Sequence, residues 1–320
     1  KFPDLSQIAG LFRHYHDETK RGYVTREQDF LAEKFEENRG HLKAVAYRML
    51  GSAGEADDAV QEAWLRLSRS DATAIDNLGG WLTTVVARVC LDMLRSRNSR
   101  REESLSAATP NSPQTSVVSK KIDPEQEAVM ADSVGLALLV VLDRLDPAER
   151  LAFVLHDLFG SSFDEIAEVV GRTAEATRQL ASRARRRVQG APPTPGAELA
   201  HQRKLVDAFI AALRTADFDA LVAVLDPDLS VRLDEASSLP GVARETRGAA
   251  AWAREGIKAA RGARAARPVL IDGNVGIVVA PGGRLFRVLR FTFANDKIAA
   301  IEVLGDQNVI KNLDLSVAPE

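Results

Sequence analysis

The chain has 320 residues, enough for two or three domains, and 45% of them are apolar, enough to bury proper cores. A net charge of -3 excludes a uniformly basic nucleic-acid binder. The single cysteine, Cys90, excludes an internal disulfide and fits a reducing cytoplasm. No apolar run reaches membrane-spanning length and no signal peptide is visible, so a cytoplasmic protein without a membrane partner is expected.

The charge is segregated along the chain. Residues 52–62 hold four acids (Glu55, Asp57, Asp58, Glu62) and no base, residues 84–101 hold five arginines against Asp92, and residues 171–188 hold six arginines against Glu175. Such alternation points to different partners for different faces.

Residues 1–24 read as an N-terminal extension ahead of the first domain, which starts where Thr25 can cap a helix with Gln28 at its third position. From 25 to 101 the pattern is helical throughout. One helix is predicted from about Arg26 to Leu50 and a second over about Glu55–Ser68, with Ala59, Val60, Ala63, Trp64 and Leu67 on its apolar stripe. A third follows over about Gly80–Arg97, with Cys90 inside its apolar run as a core thiol. Residues 102–122 are rich in Ser, Thr, Pro and Ala and lack periodicity, which is linker composition. Asp123-Pro124-Glu125-Gln126 restarts helix, and a second helical domain is predicted over 123–189.

Within that domain, Asp146 to Val188 reads as three short helices. Asp146-Pro147 with Glu149, and then Ser162 with Glu165, are helix-start signals; Gly171 can end the second helix and Thr173 can cap the third. Leu151, Val154, Leu155, Leu158, Ile166, Val169, Val170, Leu180, Ala184 and Val188 form a shared core, and the opposite face of the last helix carries Glu175, Arg178, Ser182, Arg185 and Arg186. An arginine-bearing helix after a glycine turn is what a helix-turn-helix needs to enter a major groove, although an ordinary three-helix bundle with a solvated basic face has the same pattern. His156, on the apolar side of its helix, reads as a hydrogen-bonded core histidine. Gly190–Gly196 is a plain domain boundary.

Beyond it, helices near 198–215 and 217–225 precede alternating strand-like runs near 229–234, 268–272, 275–280, 284–293 and 298–304, with turn signals at Pro281-Gly282-Gly283 and Asn295-Asp296. Helices ahead of a curled antiparallel sheet make an α+β domain over 197–320, whose 16 bases balance its 16 acids.

Two helical blocks joined by a linker, the second with a helix-turn-helix, resemble an extracytoplasmic-function (ECF) sigma factor of bacterial RNA polymerase. His41–Leu67, HLKAVAYRMLGSAGEADDAVQEAWLRL, is similar to sigma region 2; Gly80–Arg101 is similar to the following −10 region, and Val141–Val188 to region 4. The resemblance implies that Asp57, Asp58, Gln61, Glu62 and Arg66 dock on core RNA polymerase, with Trp64 anchoring the stripe behind them. It implies that Arg88, Arg95, Arg97, Arg100 and Arg101 line the promoter −10 DNA, where arginine neutralises phosphate and stacks on unpaired bases. Trp81 has two readings, core residue or melted-strand contact. In relatives the loop at 70–79 captures a flipped base, but no residue pattern there carries over.

On the −35 element, Arg178 and Arg185 are placed for base edges or nearby phosphates, Arg186 for phosphate, Thr173 for a backbone contact and Glu175 for cytosine, with Ser182 on the same face. Arg183 and Arg187 lie on the flank and read as solvated. Glu102 and Glu103 open a linker similar in position to the one that threads the polymerase channels.

Residues 198–313 resemble the SnoaL-like branch of the NTF2-like fold, and the combination is closest to sigma-I type factors. The Asp-Gly-Gly-Gly-Lys and Asn-Pro-Asp-Lys-Leu stretches of some relatives are absent, their places taken by Asp234–Gly241 and Asp306–Lys311. SnoaL-type cyclases use paired acid-base groups; here Asp234 and Glu235 are neighbours on one strand and face opposite sides, so only one can enter the cone. The expected role of this domain is therefore regulatory, through contact with the sigma core, with no catalytic residue, cofactor or metal. Two other functions fit parts of the pattern: a polymerase-independent helix-turn-helix regulator with an NTF2-like ligand-sensing domain, and an enzyme fused to a DNA-binding unit.

Overall fold

The structure is a computed structural model that describes residues 30–70, 75–107, 135–190, 195–238, 244–258 and 260–318. The first block is three helices: α1 (30–50), α2 (Ala53–Leu67) and α3 (Leu78–Ala107). Ser52 caps α2 by accepting from Glu55 N, and Asn77 Oδ1 accepts from Gly80 N (3.0 Å) at the start of α3. Leu42, Val45, Met49, Val60, Leu67, Leu82, Val86 and Leu91 are buried between them. Trp64 packs on Phe35 with ring centroids 5.1 Å apart.

Helix α3 does not stop near Arg97. It runs on to Ala107, through the first six residues assigned to the linker. Glu102, Glu103, Leu105 and Ala107 favour helix and no Gly or Pro interrupts before Pro110, so local propensity outweighed the polar composition. The rest of the linker and the predicted restart at Asp123 lie outside the described residues, as does the N-terminal extension.

The second block holds α4 (Leu136–Leu142), α5 (Pro147–Phe153), α6 (Phe163–Val170) and α7 (Ala174–Gln189), with one π-helical turn, Val154–Leu158, prolonging α5. Ser162 and Glu165 form a reciprocal capping box, Gly171 takes the left-handed conformation (φ 73°), and Thr173 accepts from Ala176 N. At Asp146 the cap is simpler: its side chain accepts from Ala148 N, and Glu149 turns away into the bundle.

The third unit sets α8 (Gly196–Thr215), α9 (Phe218–Val224) and α10 (Ala249–Lys258) against one seven-stranded sheet, the expected α+β architecture. Its strands are β1 (Leu225–Leu233), β2 (Glu245–Arg247), β3 (Ala266–Ile271), β4 (Asn274–Val279), β5 (Arg287–Ala294), β6 (Lys297–Leu304) and β7 (Leu315–Val317), in the order β2-β1-β6-β5-β4-β3-β7. β1 runs parallel to β6 and every other pair is antiparallel, so the sheet is mixed. Asn295 and Asp296, at φ 51° and 59°, form the two-residue turn between β5 and β6. A short helix, α11 (Gln307–Lys311), capped by Asp306, separates β6 from β7. The three-residue strands β2 and β7 have too little alternation to be seen in the sequence.

The sheet has two apolar faces. Leu229, Val231, Ile277, Phe291 and Ile301 pack under α8 and α10 with Val206, Phe209 and Ala253. Val269, Ile271, Val278, Val288 and Leu304 on the other face, with Ile310, Leu313 and Leu315, join the core of the helical blocks.

Candidate nucleic-acid interface

The acidic face of α2 is open. Asp58 and Gln61 are exposed, Asp57 pairs with Lys43 of α1 (2.7 Å), and Glu62 pairs with Arg66 one turn on (2.9 Å). Trp64 is turned towards Phe35 and the core, while Leu65, 39% exposed, is the apolar side chain between Asp58, Gln61 and Glu62 on the outer face. The structure therefore puts an aliphatic residue, rather than the tryptophan, on the surface assigned to the polymerase.

The arginines of α3 have separate tasks. Arg97 is half-buried and bonds Glu55 and the Leu50 carbonyl, so it braces the first block. Arg88 reaches across to the second block and donates to the Glu168 carbonyl (3.3 Å). Arg100 is exposed and donates only to Ser96 O of its own helix, and Arg95 is exposed with no partner among the described residues. The side chain of Arg101 lies outside the described residues. Trp81 is half-buried and packs on the core of the block. Cys90 is fully buried on the same helix, and burial pushes its thiol up to about 12, which makes it unreactive.

On α7 the expected face is present, but its groups are not all free. Thr173 spends its hydroxyl on the cap. Glu175 pairs with Arg178, whose guanidinium also lies 5.3 Å from the centre of the Phe163 ring. Arg185 bonds Asp157 (2.6 Å) in the π-helical turn that prolongs α5. Ser182 and Arg186 are exposed, and Arg186 has no partner among the described residues. Arg172, in the turn before α7, is likewise exposed and unpaired among the described residues. It was missed because it precedes the helical periodicity that marked the other arginines.

Arg183 and Arg187, read as solvated, are structural. Both close on Glu149 of α5, at 2.8 and 2.9 Å, and Glu149 keeps only 7% of its side chain exposed. A buried carboxylate needs paired cations, and these two arginines supply them. His156 also has a structural role: its Nδ1 donates to Ser161 O and its ring stacks on Phe163 at 3.9 Å. The Ser162 hydroxyl and backbone N–H hold the Glu165 carboxyl below its usual range.

The acids weighed for catalysis in the third unit are otherwise occupied. Asp234 suffers desolvation, but hydrogen bonds from Asp306 N, Ser237 N and Gly305 N outweigh it and hold its carboxyl below the usual range. Glu235 is exposed and pairs with Arg244. An open groove of about 640 Å³ on the sheet carries both signs of charge, Arg232 and Arg290 against Asp272 and Glu302.

The two helical blocks meet at Arg150. This arginine is 2% exposed; its Nε and Nη2 donate to Arg48 O at the end of α1, and its Nη1 to Asp143. The Phe159 ring adds an edge contact to His41 and lies under the Arg48 guanidinium. The second block contacts the third through Arg144, which donates to the carbonyls of Ile310, Lys311 and Leu313.

The Sigma-70 region 2 family matches residues 35–100, and the Sigma-70, region 4 family matches residues 135–188. The probable ECF RNA polymerase sigma factor SigI of Mycobacterium tuberculosis is 42% identical over 197 residues, spanning 62% of this chain and 67% of that protein. The ECF RNA polymerase sigma factor SigJ of the same species is 42% identical over 221 residues, 67% of this chain and 68% of SigJ. Its crystal structure aligns with 87% of this chain and 97% of its own, at 33% identity and a TM-score of 0.42. These identities extend over two thirds of each relative. The chain belongs to the ECF RNA polymerase sigma factors.

Proposed function

We propose that this sigma factor docks on core RNA polymerase through Asp57, Asp58, Gln61, Glu62 and Arg66 of α2, and directs transcription from promoters that it reads in two places. Arg88, Arg95, Arg100 and Arg101 of α3 serve the −10 element, with Arg97 holding α3 in place. Arg178, Arg185 and Arg186 of α7, with Thr173, Glu175 and Ser182, serve the −35 element, and Arg172 adds a phosphate contact. The observation that carries the reading is a capped helix-turn-helix with an exposed arginine face in the same chain as an open acidic helix. A polymerase-independent regulator has no use for the second of these.

In this arrangement the two DNA-reading blocks touch, through Arg88 and Glu168 and through Arg150 and Arg48. Promoter elements whose centres are about 25 base pairs apart lie ~85 Å apart along the duplex at about 3.4 Å per pair. The described arrangement is therefore a closed state, and the blocks part to engage a promoter. The third unit, of SnoaL-like and NTF2-like type, packs on the helical core and holds that state closed, which makes it a modulator and not a catalyst. The protein acts in the cytoplasm, where polymerase and DNA are; no described helix is long and apolar enough to cross a membrane.

Purified core polymerase with this chain is expected to start transcription at a defined promoter and to co-elute with the chain on gel filtration. Asp58→Arg reverses a charge at the centre of the docking face and should abolish co-elution while leaving the fold intact. Co-elution unchanged by Asp58→Arg would remove α2 from the interface.

A further inference from the structure

The closed state has two seams, which share one apolar core but differ in their close contacts and in the tethers across them. Between the helix-turn-helix block and the C-terminal unit the seam is apolar and continuous. Every residue of α4 is Leu, Ala or Val, and Leu136, Leu139, Val140, Val141 and Leu142 are buried. They share one core with Val269, Ile271, Val278, Val288, Leu313 and Leu315 of the C-terminal unit. Parting this seam would expose the apolar strip of α4 together with one face of the sheet, at a cost proportional to that area.

Two local devices reinforce it. Arg144 satisfies three carbonyls at the C-terminal end of α11 and just beyond it (2.6–3.0 Å), where a cation also meets the negative end of the helix dipole. Gly190, at the end of α7, sits so close to β7 that an added Cβ would lie 2.7 Å from the Ser316 Cβ.

The seam to the first block belongs to the same apolar core, and around it lie long side chains on backbone oxygens and rings: Arg88 on Glu168 O, Arg150 on Arg48 O, Arg97 at 4.0 Å from Asp143, and Phe159 against His41 and Arg48. Water can replace most of these partners once the blocks part. The C-terminal unit meets the first block at Gly51, whose carbonyl lies 2.8 Å from where a Cβ on Gly283 would sit. Tether lengths differ in the same sense. The chain from Gln189 to Gly196 can span only about 20 Å, whereas that from Ala107 to Gly135 can span ~90 Å when extended.

We propose that the helix-turn-helix block and the C-terminal unit move as one body, and that opening takes place only at the seam with the first block. This rests on the promoter reading above and deepens it. The C-terminal unit does not leave α7 to free it; it travels with α7 to the −35 element and breaks its Gly51–Gly283 contact with the first block on the way. Its regulatory hold is therefore on the first block.

Spin labels on the full chain test this. Cysteines replace exposed Asp164 on α6 and Asp219 on α9 in one variant, and exposed Glu33 on α1 and Asp164 in the other; buried Cys90 does not label. With core polymerase and promoter DNA, the Asp164–Asp219 distance should stay within about 3 Å of its free value, while the Glu33–Asp164 distance lengthens by tens of ångströms. Lengthening of the first, or a complex in which neither changes, overturns the proposal. If gel filtration shows no complex, the promoter reading fails. The one-body claim is then decided on the free chain by native-state hydrogen exchange in urea. Amides of α4, α7 and β7 should open together and apart from those of α2. Separate opening of β7 and α7 overturns it.

Discussion

Helices α3 and α7 are both rich in arginine, yet they spend it in different directions. On α7, Arg183 and Arg187 turn inward to neutralise one carboxylate of their own block, and Arg186 is left facing water. On α3, Arg97 braces its own block, Arg88 reaches a neighbouring block, and Arg95 has no partner among the described residues. Most of the arginines on α7, and Arg88 and Arg97 on α3, are thus already engaged within the protein. An arginine count measures packing demand as well as phosphate affinity, and only the pairing pattern separates the two.

The sharpest way to break this comparison is Glu149→Ala. It removes the shared partner of Arg183 and Arg187 and leaves a cavity beside them. A loss of about 3 kcal/mol is expected in urea unfolding of the helix-turn-helix block. The two arginines can rehydrate, which keeps the cost from being larger. Loss of promoter affinity without loss of stability would assign both arginines to DNA rather than to Glu149.

Arg178→Ala should do the reverse. About 2 kcal/mol of discrimination at one base pair of the −35 element is expected to disappear, with the unfolding midpoint unchanged. Measuring holoenzyme binding to single-base promoter variants checks it, with Arg183→Ala as the matched control that shifts stability and not base preference.

A smaller effect isolates the cap that positions α6 ahead of the recognition helix. Ser162→Ala should cost about 1 kcal/mol at neutral pH. The Ser162 bonds hold the Glu165 carboxyl below its unfolded value, so their stabilisation is full above about pH 4.3 and fades as pH falls through the lower folded value. The difference between wild type and Ser162→Ala should therefore shrink on acidification; a constant difference from pH 7 to pH 3 would detach Glu165 from the cap.

The smallest expected signal is on the inner face of α3. With its thiol pushed up to about 12 by burial, Cys90 should not react with a thiol reagent at pH 8 until the first block unfolds. Reaction of the native protein on the timescale of a free thiol would show that α3 opens far more readily than its neighbours.

Much of this was legible in the residues. Ser162, Gly171 and Thr173 act through neighbours within a few positions, so their roles are legible in the sequence. The misreadings share a feature. The sequence pattern reads Arg183 and Arg187 as solvated because their partner is 34 and 38 positions away. The linker began too early because composition was weighed above helix propensity at Glu102 and Glu103.

By itself the sequence determined the helices of the helix-turn-helix with the caps at Ser162 and Thr173, the order of the blocks and the family, because these rest on periodicity and on bonds between near neighbours. Tertiary structure decided which arginines are engaged, what covers each face of the sheet, and that Arg144 and Arg150 join units distant in the chain. Long cationic side chains reach about 6 Å and donate to any well-placed oxygen. Their partners are therefore chosen by how the folded blocks meet, and no local pattern records that choice.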